Sequence, residues 1–286
     1  MPSGAGHPRI RQARMTRARR SAAPGGHLAG VGRRLLRVAQ KHVDDAAARG
    51  ELPRRDLRRL PGLRVRVDPE FCEAVARHFA AAPRRQLGPE LAARYHRFTE
   101  ETLRHFALLV RAGVRVAPWP GPGQPYLGAA DLIDRLTRTG VLYVYLTRSG
   151  HGPGAPDPDH PLCAPSGVTV DGCPLLHNDV FRAVHDAFGH VMLGASMGVR
   201  GEFLAAYGHL AMYSPQVHPV IFTEQVSQIC WFFYGPHLVD RTGRLPRRGE
   251  PGWIHPTERP YPEQKLLPCP PGYLDRFTAS FSEEAG

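Results

Sequence analysis

Two imidazoles and a carboxylate lie within six residues in His185-Asp186-Ala187-Phe188-Gly189-His190. Neutral imidazoles and carboxylates bind mid-row divalent metals, so this cluster is a candidate metal centre. Val180, Val184, Ala187, Phe188 and Val191 recur at helical spacing, and Asn178 or Asp179 can cap the helix start. On an ideal α-helix, residues five apart point about 140° away from each other. His185 and His190 therefore need a local departure from α geometry to share one ion. Gly189, just before the second imidazole, is where a loosened turn could supply it.

A pair of histidines needs a third ligand. Glu224 is the first choice, on an expected helix over 219–234, where it shares an α-helical face with Val220, Ser227 and Trp231. A carboxylate on such a face is buried and requires a cation or a proton. Glu202 is the alternate, although a helix start is also where an ordinary dipole-stabilising Glu belongs. Asp186 and His177 are further alternates. Two histidines and one carboxylate leave one side of a metal open, the arrangement of non-heme Fe(II) oxygenases. Phe181, Phe188, Trp231 and Tyr234 are the expected walls of a dry substrate pocket.

These residues also carry a resemblance. Leu176 to Phe181 running into His185-Asp186-Ala187-Phe188-Gly189-His190-Val191 resembles the metal helix of the pterin-dependent aromatic amino acid hydroxylases. The segment Ile229-Cys230-Trp231-Phe232-Phe233-Tyr234-Gly235 is similar to that family's Trp-Phe-rich helix. The resemblance implies a mononuclear Fe(II) hydroxylase acting with O₂ on a small aromatic or apolar substrate. It admits a pterin as reductant but leaves the electron donor open. The family's glutamate position falls here on Gly235, and Asp186 stands where the family has Glu. A rival reading takes His185-Asp186 as the core of an HD-type metal-dependent phosphohydrolase, with His177 and Asp240 as outer ligands. A third takes the chain as a non-catalytic helical interaction domain.

The elements that must position the cluster read as mainly α. Expected helices cover 31–48, 68–82, 89–112, 129–139, 199–213 and 219–234, with short strands near Val114 and Val141 forming a small minor sheet. Residues 151–169, dense in Pro, Gly and Asp, read as a loop. Residues 1–30 read as a disordered basic tail, 31–240 as a compact multi-helix catalytic domain, and 241–286 as a proline-rich C-terminal arm packed on it.

The net charge of +11 is concentrated at the start of the 286-residue chain: residues 1–43 hold nine arginines and one lysine, with no acid before Asp44. The other 243 residues carry 27 basic and 26 acidic side chains. A solvated tail fits this better than a nucleic-acid surface. No apolar run reaches the roughly 18 residues of a membrane span. Five widely spaced cysteines, with no CxxC, point to a reducing cytoplasm rather than a disulfide framework.

Overall fold

The computed structural model of the protein describes residues 30–149 and 157–283. The expected basic tail lies outside these residues apart from Gly30. The chain is mainly α-helical, with three two-stranded sheets among the described residues.

Helix α1 (Gly30–Ala48) buries Val31, Leu35, Ala39, Val43 and Ala46, an apolar stripe at helical spacing. Strand β1 (Leu63–Val65) follows. Helix α2 (Pro69–Ala81) starts where Asp68-Pro69-Glu70 predicts: the Asp68 carboxylate accepts from the Glu70 and Phe71 amides, and Pro69 occupies the first turn. Helix α3 (Pro89–Arg111) is followed by Gly113, whose φ of 79° only glycine adopts without strain. Its aromatic stripe is core: Phe98 meets Phe181 edge to face and stacks on Tyr213.

Strands β2 (Arg115–Pro118) and β3 (Val141–Val144) pair in parallel across α4 (Ala129–Thr139). The expected loop over 151–169 is in part a strand. Pro165–Val170 (β4) pairs with Cys173–Leu176 (β5). The turn between them is Asp171-Gly172, both at positive φ, which is the two-residue hairpin signal that the loop reading passed over.

Helix α5 (His177–Val184) begins two residues earlier than a cap at Asn178 requires, and three earlier than a cap at Asp179. Leu176 is the cap, and Asp179 reaches back from the third helical position to accept its amide at 2.9 Å. The other Asp179 oxygen accepts the Thr147 amide and hydroxyl, each at 2.6 Å, anchoring α5 to the end of the β2–β3 layer.

Helix α6 (Val199–Met212) runs through the centre and is buried on nearly every side. The helix expected at 219–234 is continuous but not uniform. It comprises α7 (His218–Ile221), a π-helical stretch at 222–227, and α8 (Gln228–Tyr234), which packs closely on α2. Beyond Leu238 the chain has turns, a short 3₁₀ segment and a single parallel bridge from Leu266 to Arg85 until α9 (Tyr273–Thr278) and β6 (Phe281–Glu283). Leu266 and Leu267 are buried, and β6 pairs antiparallel with β1. Lys265 Nζ donates to the carbonyls of Phe79, Ala80 and Ala82 at the end of α2, at 2.8–3.1 Å.

Candidate metal centre

The departure from α geometry that the histidine spacing demands is present. After α5 the helix widens into a π-helical stretch, His185–Val191. The Met192 amide donates to the Ala187 carbonyl five residues back, at 2.8 Å. In such a turn the residue five positions on lies nearly above the first, which brings the two imidazoles together. Their Nε2 atoms are 3.0 Å apart, with the rings edge to face. Single π turns inside α-helices are frequent at functional sites.

Gly189 makes room for the turn against α6. A Cβ at this position would lie 2.8 Å from Ala205 Cβ and 3.4 Å from His185 Nδ1. Gly201 does similar service at the start of α6. A Cβ there would sit 1.9 Å from the Ser196 carbonyl oxygen, so the 192–198 loop lies flat on the helix.

The carboxylate that meets the pair is Glu202, on α6. Its Oε2 is 3.3 Å from His185 Nε2, and its Oε1 is 3.5 Å from His190 Nε2. Ligand atoms about 2.0–2.2 Å from a metal stand roughly 3.0–3.5 Å apart at tetrahedral or octahedral angles. The Nε2–Nε2 separation and the approach of a Glu202 oxygen to each imidazole fall in that range, the two approaches being made by different oxygens of the carboxylate. Asp186 adds a second carboxylate: ligand atoms of His185, Asp186 and His190 lie within 4.8 Å of one another. His190 is closed off, whereas the His185 and Glu202 side chains retain 18% and 11% exposure, which leaves the cluster an open side.

Charge follows from this geometry. Burial pushes the Glu202 carboxyl up, but the His190 and His185 imidazoles outweigh it and hold it below the ordinary range. Burial also pulls His185 down, and the Glu202 carboxylate more than restores it. Asp186 is raised, first by burial, with the Glu202 charge adding to it.

Further groups orient the two imidazoles. His190 Nδ1 lies 3.0 Å from the Ala195 carbonyl, and the Gln225 amide lies 3.0 Å from His185 Nδ1. Partners of this kind fix the ring and tautomer of a metal-binding histidine. His209, two turns beyond Glu202 on α6, stacks on His185 at 5.6 Å between ring centroids. Burial pushes its imidazole well below the usual value.

Glu224, the expected third ligand, is not brought to the pair. Its carboxylate accepts from the Tyr95 hydroxyl at 2.5 Å and from Gln228 Nε2 at 3.0 Å, with His160 Nε2 at 3.5 Å. The π-helical stretch at 222–227 breaks the α-helical face on which Glu224 was placed, and Gln225 is the residue that reaches His185. The sequence did hold a signal for Glu202. In Val199–Met212 it is the only acid, and from Phe203 to Met212 the helix is largely apolar, a setting in which a charged group needs a partner.

The other alternates and pocket residues are dispersed. His177 opens α5, half-buried, and its Nδ1 has no partner among the described residues. The Asp240 carboxylate accepts from the Thr242 amide and hydroxyl and from the Arg244 amide within its own turn. Phe181 packs against His185 and His209. Phe188 is 1% exposed, within the core. Trp231 stacks on His237, and Tyr234 packs against the core as a half-buried ring. Of the four expected wall residues, ring contact with a metal-site histidine is made by Phe181.

Comparison with protein-family models, with characterised proteins and with solved structures found no match to this chain. No helix among the described residues is long and apolar enough to cross a membrane.

Proposed function

We propose that this chain is a mononuclear non-heme Fe(II) oxygenase, with His185, His190 and Glu202 as ligands. The observation that carries the reading is the convergence of two imidazole nitrogens 3.0 Å apart with one Glu202 oxygen 3.3 Å from the first and the other 3.5 Å from the second, on a cluster with an open side. Two histidines and one carboxylate on one face are the ligand set of such enzymes. An Fe(II) ion held there would supply O₂ activation at the positions the protein leaves free.

The chain's own residues do the rest. Ala195 and Gln225 hold the imidazoles in register. Phe181 and the surrounding core keep bulk water from the closed side. Asp186, beside the ligands and raised by burial, is a group that can hold a proton at the cluster. A small, aromatic or apolar substrate is the class that the resemblance implies, and a pterin stands among the candidate reductants. The resemblance of His185–Val191 to the aromatic amino acid hydroxylase helix supports the same reading. Here, however, the carboxylate comes from α6 rather than from the Trp-Phe-rich helix. The phosphohydrolase reading loses support, since Asp240 is engaged in its own turn and the ligands are completed without His177.

The test is metal binding followed by O₂ uptake. About one equivalent of Fe(II) per chain is expected, abolished by His185→Ala or His190→Ala. Oxygen consumption across candidate aromatic substrates and reductants should depend on that iron. A chain that binds metal but is inert to O₂ throughout, and hydrolyses phosphoesters, would overturn the proposal.

A further inference from the structure

The two ligand histidines are held by partners of different kinds. His190 Nδ1 faces the Ala195 carbonyl, which can only accept. His190 is therefore fixed with its proton on Nδ1 and its Nε2 lone pair free. His185 Nδ1 faces the side-chain amide of Gln225, which can donate or accept according to its rotation. In the arrangement present, Gln225 Nε2 lies at 3.0 Å from Nδ1. The amide donates, Nδ1 accepts, and the His185 proton is on Nε2. That proton points at the free Nε2 of His190, 3.0 Å away, and at Glu202 Oε2, 3.3 Å away. One directed chain results: Gln225 to His185 to His190 to the Ala195 carbonyl.

A metal ion bonded to His185 Nε2 requires the other tautomer, with the proton on Nδ1. Turning the Gln225 amide by half a rotation places Oε1 where Nε2 now sits, and Oε1 then accepts that proton. The turn breaks no hydrogen bond of Oε1, which is buried without a partner among the described residues. One hydrogen bond to Nδ1 is exchanged for another, and the imidazole neither gains nor loses a proton overall. Gln225 is 6% exposed, so water does not readily replace it.

We propose that Gln225 is a positioning residue whose amide rotation selects the tautomer of His185, and so sets how readily the metal centre loads. The proposal rests on the metal-site reading above. Glutamate at this position can only accept, so it favours the metal-binding tautomer in advance. Leucine offers neither atom and leaves the ring without orientation.

The experiment uses the full chain with Zn(II) as a diamagnetic probe. Imidazole tautomers are read from long-range proton–nitrogen spectra of ¹⁵N-histidine-labelled protein, and affinity is read by competition with a chelator. Metal-free wild type should show His185 protonated on Nε2 and His190 on Nδ1. Zn(II) should move His185 to the Nδ1 form. Gln225→Glu should show the Nδ1 form without metal and bind Zn(II) more tightly than wild type. Gln225→Leu should bind about 10–100-fold more weakly, the usual cost of losing such a partner. Equal weakening in both variants would make Gln225 a packing residue and overturn the proposal. So would an Nδ1-protonated His185 in metal-free wild type. Failure of the wild type to bind any metal would instead sink the metal-site reading itself.

Discussion

The contact at Gly189 allows a worked perturbation. Gly189→Ala places a methyl 2.8 Å from Ala205 Cβ, where carbon atoms prefer about 3.5–4.0 Å. Helix α6 must retreat by about 1 Å, or the π turn must shift by as much. Overpacking of this kind costs about 1–3 kcal/mol. Alanine recovers up to about 1 kcal/mol of helix propensity. The net loss is about 1 kcal/mol, a fall in Tm of about 3 °C for a chain of this size. The larger effect is on the site. Ala205 lies one helical turn from Glu202, so the retreat draws the carboxylate from the imidazoles, and metal–ligand distances tolerate only about 0.2 Å. Metal affinity should fall at least tenfold, measured by titration with Co(II) or Fe(II) beside thermal melts. The double variant Gly189→Ala/Ala205→Gly removes the opposing methyl. Its new Cβ would then meet Ala205 Cα at 3.6 Å, an ordinary contact, and affinity should return to within about threefold of wild type. Unchanged affinity in the single variant, or no recovery in the double, would refute the packing argument.

Three more outcomes can be checked. Glu202→Gln should lower Fe(II) affinity by about one to two orders of magnitude, the scale of a lost charged partner. Glu224→Gln should leave that affinity within about twofold, and dialysis at fixed free metal separates the two. His105 and His209 are pushed well below the ordinary imidazole value, chiefly by burial, so the unfolded chain takes up protons below about pH 6.5 that the folded chain refuses. Stability should therefore fall with pH by up to about 1.4 kcal/mol per unit for each of them, offset in part by His185, whose shift is upward. Urea midpoints that stay level from pH 7 to pH 5 would contradict this, and His105→Leu should flatten the slope. Lys265→Met removes a buried ammonium from three carbonyls at the end of α2, at a cost of about 2–3 kcal/mol. The arm should then be cut faster by protease, and a cleavage rate equal to wild type would count against its role as an anchor.

Much of the fold was legible because its signals are local. Asp68-Pro69-Glu70, Pro89 and Gly140 mark helix ends through capping and φ preferences that neighbouring packing does not override. The proximity of His185 and His190 was legible only as a demand, since five-residue spacing asks for a wider turn without supplying one. The third carboxylate was misplaced for the same physical reason. A helical wheel assumes 3.6 residues per turn, and the π-helical stretch at 222–227 changes which side chains face inward. What decides between Glu202 and Glu224 is tertiary: Tyr95, from α3, supplies the donor that satisfies Glu224. The β1–β6 pair was equally hidden, because each strand has three residues and its partner lies near the other end of the chain.

That last pairing has a consequence for how the protein is made. Every proposed ligand lies between positions 185 and 202, but the partner of β1 is not synthesised until residues 281–283. At 5–20 residues per second, roughly 4–16 s separate those events on a ribosome. During that interval the nascent chain carries all three proposed ligands and an unpaired strand edge together. A product stalled before residue 281 keeps both. Open edges of this kind template aggregation. Pairing of β6 with β1 is thus the step that closes this edge to the cell's proteases and chaperones.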